Sequence, residues 1–439
     1  MQPARLLNMA TVPTTTMSPP ARAWGVLSLL TFVYVLNFLD RQLISILAKP
    51  IQDSLHISDG QLGLIGGLYF ACFYCFIALP VGWLADRTNR VTILSLACAI
   101  WSGATTACGL AQTYPQLVLA RMAVGFGEAG GVPPSYALIT DTFAPGNRGT
   151  ALGLYNLGPP IGAALGIAFG ASIAAAFHWR DAFIVIGIVG IVSAIILRIV
   201  MREPERGATD THRDPQASAK APFWGTIRMF VTNPVLMLAS LGSGATQFVT
   251  YGLGNFAVLF LMREKGMTLE DVAIWYALVV AIGMGAGMIV SGRIIDRMTR
   301  RSRVVYAMAP AISLVVAMPL YVIFVWMPGW PVALLVLTAV MFFNYFYLSS
   351  SIALVQEEVR ANERVLSGAL LLLVMNFIGL GLGPTYVGAA SDYFAARGME
   401  HSLQISLYTL TPFYLIAIAL FFVLAARLRR EDAQRRSAA

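Results

Sequence analysis

Long apolar segments recur from one end of this sequence to the other. Each is close to the roughly 20 residues that a helix needs to cross the hydrocarbon core of a bilayer. Strands of a membrane barrel would be short and of alternating polarity, whereas these segments are continuous and rich in Leu, Ala and Gly. We therefore predict an all-α integral membrane protein with twelve transmembrane helices, at residues 24–48, 58–84, 91–111, 116–142, 149–176, 181–201, 232–262, 270–293, 304–326, 331–357, 366–391 and 405–428.

The composition excludes a water-soluble globule. Of the 439 residues, 57% are hydrophobic and only 12% are charged, against about 25% charged in soluble domains. The four cysteines all lie inside apolar segments, so a disulfide-rich secreted scaffold is also excluded. The first segment is too long for a cleaved signal and contains Asp40 and Arg41, where a removable apolar core should be uncharged.

The positions of the basic residues predict the orientation of the chain. Lys and Arg accumulate on the cytoplasmic side of membrane proteins, and most of the 30 in this chain fall in segments on the same side as the termini. We therefore expect both termini to be cytoplasmic. The net charge of +8 follows from this topology, because the charges are scattered over short loops and form no nucleic-acid recognition module.

The longest polar interruption divides the chain into two halves. The predicted domains are a cytoplasmic tail at 1–23, a six-helix bundle at 24–201, a cytoplasmic linker at 202–231, a second six-helix bundle at 232–428 and a cytoplasmic tail at 429–439.

The two halves repeat a loop motif after their second predicted helix. Both copies read G-x-x-x-D-R-x-x-R at an offset of 210 residues, with Gly82, Asp86, Arg87 and Arg90 in the first copy and Gly292, Asp296, Arg297 and Arg300 in the second. A second echo places Asp141 seven residues before Arg148 and Glu357 seven residues before Arg364. Such parallel repeats are typical of transporters whose site lies between two bundles.

Four charged residues remain at membrane depth, and all lie in the first half: Asp40, Arg41, Arg121 and Glu128. Each costs at least about 2.5–3.5 kcal/mol and is functional by default, although a purely structural ion-pair network is the alternative. Arg121 and Glu128 are seven residues apart and therefore share a helix face. Polar residues elsewhere in the apolar segments extend the predicted pocket: Asn37, Tyr251, Asn344 and Asn376.

Together, the twelve segments, the division into halves and the repeated loop motif resemble the major facilitator superfamily. The resemblance implies alternating access and a cytoplasmic gate. In that gate Asp86 faces a helix of the other half, Arg90 pairs with Asp141, and Asp296, Arg297 and Arg300 form a weaker copy.

Short blocks of the first half resemble the spinster family of lysolipid and sphingosine-phosphate transporters. They are N-F-L-D-R at 37–41, Arg121 with G-F-G-E-A at 125–129, and the run from Pro133 to Asp141. The resemblance implies transport of a lipid with a phosphate head and a long tail, linked to protons. In this hypothesis Arg41 and Arg121 bind the anionic head and Asp40 carries the proton, with Glu128 as the alternative carrier.

Two other functions stay open at the level of the sequence. One is proton-driven export of drugs or aromatic organic anions, and the other is a non-transporting membrane sensor. We expect no enzyme, cofactor or metal site, because no nucleophile, His pair or metal-ligand cluster lies at membrane depth. We expect a monomer among membrane lipids, and the absence of an N-x-S/T sequon favours a bacterial inner membrane.

Overall fold

The computed structural model describes residues 21–85, 87–143, 145–205, 223–299, 302–360 and 363–438. These residues form helices and no strands. The α-helices are α1 (Ala21–Ile46), α2 (Ala48–Leu55), α3 (Asp59–Gly66), α4 (Leu68–Ala85), α5 (Arg90–Leu110), α6 (Tyr114–Glu128), α7 (Val132–Thr142), α8 (Pro145–Tyr155), α9 (Gly158–Ala176), α10 (Trp179–Val200), α11 (Phe223–Thr232), α12 (Pro234–Lys265), α13 (Leu269–Asp271), α14 (Ala277–Thr299), α15 (Val305–Trp326), α16 (Trp330–Asn344), α17 (Phe346–Glu358), α18 (Arg364–Asn376), α19 (Gly383–Ala395), α20 (Ser402–Tyr408) and α21 (Thr411–Ala438).

The all-α membrane architecture is confirmed. Within the described part of the chain, eleven helical stretches are long and apolar enough to cross a membrane. The fourth predicted span, 116–142, is occupied by α6 and α7, each shorter than a full crossing. Gly130 and Gly131 lie between them, and Pro133 and Pro134 lie at the start of α7. Because proline removes a backbone donor, this sequence interrupts the regular helix at that depth.

Side-chain caps fix several helix ends at the membrane surfaces. Asn89 accepts a hydrogen bond from the backbone of Thr92 and begins α5, and Asn233 caps α12 ahead of Pro234. Gly266 ends α12 in the left-handed conformation, with φ of 72°, which glycine adopts without steric cost. These caps define where α5 begins and where α12 begins and ends.

The two halves meet mainly toward the ends of the helices that the predicted topology places outside. Helix α3 packs on α19, α1 packs on α12, and α9 packs on α14. Glycines bring the first pair into backbone contact: a Cβ atom on Gly388 would lie 2.2 Å from the carbonyl oxygen of Asp59, and one on Gly63 would lie 2.4 Å from that of Pro384. This close approach seals the outer side of the interface.

The predicted linker and tails coincide only partly with the described residues. Helix α11 occupies the end of the 202–231 segment, and α21 continues through most of the 429–439 segment. Residues 1–20, 206–222 and 439 lie outside the described residues. The domain boundaries therefore stay predictions.

Candidate functional site

The four intramembrane charges come from two helices of the first half. Asp40 and Arg41 lie on α1, and Arg121 and Glu128 lie on α6. Asp40, Arg121 and Glu128 are each at most 2% exposed, and the side chain of Arg41 is 10% exposed. The structure brings all four together as two ion pairs in the interior of the bundle.

The two pairs differ in geometry. Arg41 Nε donates to Glu128 Oε2 at 2.5 Å, whereas Arg121 Nη1 lies 3.8 Å from Asp40 Oδ1, beyond hydrogen-bond distance. Four buried polar atoms of the cluster have no hydrogen-bond partner among the described residues: Arg121 Nε and Nη1, Asp40 Oδ1 and Glu128 Oε1. Buried polar groups are costly when they have no hydrogen-bond partner.

Aromatic rings surround the guanidinium groups. The Arg41 guanidinium carbon lies 4.9 Å from the Phe38 ring centroid, 5.4 Å from that of Phe70 and 4.6 Å from that of Tyr74. The Arg121 guanidinium lies 5.2 Å from the Phe70 centroid. Such cation–π contacts hold a charge in an apolar setting and leave the edges of the guanidinium group available for hydrogen bonds.

A threonine that the sequence did not single out completes the cluster. Thr105 of α5 is 1% exposed, and its hydroxyl is within hydrogen-bond distance of both Asp40 Oδ2 and the carbonyl oxygen of Trp101. Its position in an ordinary apolar helix gives no signal, because which of two neighbouring threonines faces Asp40 depends on the rotation of α5. Only the structure supplies that rotation.

The other predicted pocket residues occupy different settings. Asn37 is buried with its Oδ1 atom unpartnered among the described residues. Asn344 is bonded to the Tyr414 hydroxyl inside the second half, at 2.9 and 3.0 Å. Tyr251 is half-buried on α12, and Asn376 is half-buried at the end of α18. Their part in binding stays a prediction.

The predicted cytoplasmic pair of the first half is present. Arg90 Nη1 donates to Asp141 Oδ2 at 2.6 Å, and Arg90 Nε donates to Glu203 Oε1, also at 2.6 Å. Glu203 follows the sixth predicted span and was not anticipated. Arg90 of α5 therefore links α7, through Asp141, to the segment that follows α10, through Glu203. Asp86, the residue expected to face the other half, lies outside the described residues.

Two further residues of the first motif copy, Gly82 and Arg87, are also described by the structure, and their role in a gate stays a prediction. Gly82 has open space where a Cβ atom would lie. The guanidinium of Arg87 lies 3.8 Å from the Trp83 ring centroid.

The second half has a corresponding cluster around Arg303, a residue that the sequence did not single out. Arg303 pairs with Glu358 and lies 4.0 Å from Asp432, and Tyr306 donates to Glu357 at 2.5 Å. Asp296 and Arg297 lie near the end of α14, and Arg300 lies outside the described residues. The predicted role of Arg300 therefore stays a prediction.

An ion pair between Asp59 and Arg263 joins the two halves at the outer side. In the sequence each of these residues looks like an ordinary loop charge. Arg263 donates to Asp59 through two hydrogen bonds of 2.8 Å and to Gln52 at 2.9 Å. Ser391 donates to Asp59 at 2.6 Å, and the backbone of Gly60 donates to Asp392 at 2.9 Å. We call Asp59, Arg263, Gln52 and Ser391 the outer latch. A pocket of about 470 Å³ opens over it.

Between described residues of different halves, hydrogen bonds lie in the latch, between Gly60 and Asp392, and between Thr385 and either Leu68 or Gly63. At the charge cluster, Arg41 of the first half also interacts with Tyr251 of the second. Two helical bundles with a buried charge cluster inside are typical of a multi-pass membrane transporter. The chain belongs to the Major Facilitator Superfamily, whose sequence profile matches residues 30–384.

Proteins similar to this chain include both transporters named for spinster and an efflux pump. The chain is 29% identical to an MFS-type efflux pump of Mycolicibacterium smegmatis over 94% of this chain and 95% of the pump. It is 31% identical to human protein spinster homolog 1 over 56% of this chain and 47% of the human protein. The alignment thus spans about half the length of the human relative.

Solved structures show the same similarity. A bacterial homologue of the human lysosomal transporter Spinster, crystallised inward-facing and unoccupied, is 30% identical, covers 94% of this chain and 99% of its own, and superimposes with a TM-score of 0.86. The inward-facing occupied form superimposes with a TM-score of 0.82. The spinster resemblance of the sequence is confirmed, and the closed outer side of this chain agrees with the inward-facing state of that relative.

Proposed function

We propose that this protein transports an amphipathic anionic or zwitterionic lipid, of the lysophospholipid or sphingosine-phosphate type, by alternating access. The main support for the proposal is the Asp40–Arg121 pair, whose charged atoms lie 3.8 Å apart without a hydrogen bond. Arginine is permanently charged and offers a planar fork that matches phosphate or carboxylate oxygens. In this site two of the Arg121 donor atoms are buried and unpartnered among the described residues, so an anionic head would satisfy donors that the protein leaves open.

Arg41 gives the site its second cation and its apolar boundary. It is held by Glu128 on one side and by three aromatic rings on the others. A ligand head that engages Arg41 therefore lies beside aromatic surface. Phe76 of the first half and Phe377 of the second also contact each other, with ring centroids 5.9 Å apart. A charged head with an apolar tail fits this combination better than a sugar, which would need hydrogen-bonding side chains on both walls.

The transport cycle follows from where the halves are joined. The outer latch holds the outer side closed, so opening it requires that the Asp59–Arg263 contacts break. The cytoplasmic clusters around Arg90 and Arg303 each lie within one half, which lets each bundle move as a unit. Rocking of the two bundles would then expose the charge cluster to either side in turn.

Proton coupling is the second part of the proposal. Asp40 and Arg121 interact only at 3.8 Å, and a ligand anion that binds Arg121 would remove part of the counter-charge of Asp40. A buried carboxylate that loses its counter-charge favours the protonated form. Ligand binding would therefore draw a proton onto Asp40, and ligand release would return it. Glu128, bound to Arg41, is the alternative carrier or the second member of a coupled pair.

A second candidate function is export of drugs or aromatic organic anions. Its support is the similarity to the mycobacterial efflux pump, which extends over 94% of this chain. The same arginines and aromatic rings would bind a compact aromatic anion without a long tail. In either case we propose that the protein has no enzymatic activity and that it works as a monomer in a bacterial inner membrane. The bacterial origin of the 30%-identical solved relative supports that location.

The deciding experiment measures transport in proteoliposomes. Labelled lysophospholipid, sphingosine-phosphate and an aromatic organic anion are compared, each with and without a pH gradient. The lipid proposal predicts saturable, gradient-dependent lipid transport that Arg121→Ala abolishes and that the matched control Arg429→Ala, at an exposed cytoplasmic arginine, leaves intact. Transport of the aromatic anion alone would replace the lipid assignment with the export function.

A further inference from the structure

The hydroxyl of Thr105 occupies an unusual position relative to the charge cluster. It lies between two acceptors, the Asp40 carboxylate and the carbonyl oxygen of Trp101, the latter at 2.9 Å. A threonine hydroxyl has one proton to donate and two lone pairs with which to accept. It can therefore donate to only one of these two neighbours at a time, and the protonation state of Asp40 determines which.

When Asp40 is charged, the Thr105 hydroxyl donates to Asp40 Oδ2. When Asp40 carries a proton, the carboxylic acid donates through Oδ2 to the Thr105 oxygen, and the Thr105 proton turns to the Trp101 carbonyl. Threonine commonly forms this bond to the carbonyl four residues earlier in a helix. Both arrangements keep all heavy atoms in place and differ only in the positions of two protons.

We propose that Thr105 is the positioning residue that keeps Asp40 hydrogen-bonded in both of its protonation states and thereby sets the pH range of transport. This inference rests on the proposed proton coupling through Asp40. Thr105 itself does not touch the ligand in the proposal. It supplies a partner that serves the charged and the neutral carboxyl alike, in a site where Asp40 is 2% exposed.

The other groups near Asp40 do not provide such a partner. Arg121 is 3.8 Å away and can only donate. Arg41 points to Glu128, and Glu128 acts on Asp40 as a like charge. Cys108, on α5, is a further titratable group that interacts with Asp40, and a thiol is a weak donor and acceptor. Thr105 is thus the neighbour best suited to both states of the carboxyl.

The two protonation states do not gain equally from this hydroxyl. A hydrogen bond to a charged acceptor is stronger than one between neutral groups, so loss of the hydroxyl harms charged Asp40 more than protonated Asp40. In Thr105→Val, which keeps the side-chain shape, the midpoint of the pH dependence of transport should move up by about one pH unit. Thr105→Ser, which restores the hydroxyl, should return the midpoint to the wild-type value.

The chain offers a matched control at the next residue. Thr106 makes the same type of bond, to the Ser102 carbonyl at 3.0 Å, but a Cβ atom on Gly187 of α10 would lie 2.2 Å from its hydroxyl oxygen. It therefore faces α10, not Asp40. Thr106→Val should leave the pH midpoint unchanged. An equal shift in Thr105→Val and Thr106→Val, or no shift in Thr105→Val, would overturn the inference.

A spectroscopic measurement keeps the inference testable when transport is lost. Infrared difference spectra of the purified protein between high and low pH show the C=O stretch of a protonated carboxyl, and Asp40→Asn identifies the Asp40 band. In Thr105→Val this band should move to higher frequency, because the carboxylic acid loses its hydrogen-bond acceptor. An unmoved Asp40 band would contradict the role of Thr105. Wild-type transport without any pH dependence would instead refute the proton coupling itself.

Discussion

The outer latch should set the balance between the two access states of the transporter. Arg263→Gln removes two hydrogen bonds of 2.8 Å to Asp59 and one of 2.9 Å to Gln52. The Asp59 side chain is 7% exposed and that of Arg263 is 33% exposed. Loss of a partner from a fully buried pair costs about 3–5 kcal/mol, and exposed pairs contribute about 0.2–1 kcal/mol. This half-buried pair lies between those limits, at about 2 kcal/mol.

A loss of about 2 kcal/mol corresponds to a factor of about 30 in an equilibrium constant. Because the latch exists only when the outer side is closed, Arg263→Gln should favour the outward-open state by that factor. Lys49→Gln is the matched control. Lys49 is another cation at the outer face, but it pairs with Asp53 four residues away in the same half. Its loss should leave the balance unchanged.

Spin labels on opposite halves report the change as a distance. Gln112 and Glu400 are exposed in outer loops of the first and second halves, and Cys72→Ser removes the one native cysteine that is not buried. The double-labelled Arg263→Gln protein should show a larger fraction of long outer distances than the wild type. Identical distance distributions in Arg263→Gln, Lys49→Gln and the wild type would refute the latch as a determinant of access.

Three further predictions address the charge cluster and the helix contacts. Arg121→Lys should bind anionic lipid more weakly than the wild type but measurably, because lysine keeps the charge and loses the planar fork; equal affinity in a titration of the purified proteins would contradict a bidentate contact. Asp40→Asn should fold and bind lipid but transport it independently of the pH gradient, and wild-type pH dependence in both Asp40→Asn and Glu128→Gln would exclude proton coupling through either carboxylate. Gly388→Ala should separate α3 from α19 and destabilise the outward-closed state by about 1–3 kcal/mol. Gly82 has open space around it, so Gly82→Ala should leave that state unchanged. Thermal unfolding and cysteine labelling from the outer face measure the effect of both substitutions.

The fold was predictable because a bilayer leaves few options for an apolar chain. Segment length, the positive-inside bias and the repeated loop motif each depend on local sequence, and together they predicted a helical transporter of two bundles. The broken fourth span illustrates what segment length misses. Residues 116–142 are mostly apolar, yet Gly130, Gly131 and the prolines that follow divide them into α6 and α7.

The charged residues of the site were predictable, but their pairing was not. An unneutralised charge at membrane depth is rare, so Asp40, Arg41, Arg121 and Glu128 stood out by residue type. The structure pairs Arg41 of α1 with Glu128 of α6 at 2.5 Å, and it leaves Asp40 and Arg121 at 3.8 Å. Pairing depends on helix rotation and side-chain reach, which a sequence does not specify.

The contacts between the two halves could not be predicted from the sequence. Asp59 and Arg263 are 204 residues apart, and each looks like an ordinary loop charge beside a membrane segment. Only the packing of α3 on α19 and the extension of α12 to Lys265 bring them together. The same applies to Glu203 and Arg90, whose pairing depends on where the sixth span ends.

The most direct test of the coupled transport mechanism is the proton balance of ligand binding. Purified protein in a weakly buffered solution is titrated with a lysophospholipid, and the change in pH is recorded as the ligand saturates the site. Wild-type protein should take up protons in proportion to the ligand bound, and Asp40→Asn should bind ligand with no proton uptake. Saturable binding to the wild type without any proton uptake would contradict proton coupling through Asp40.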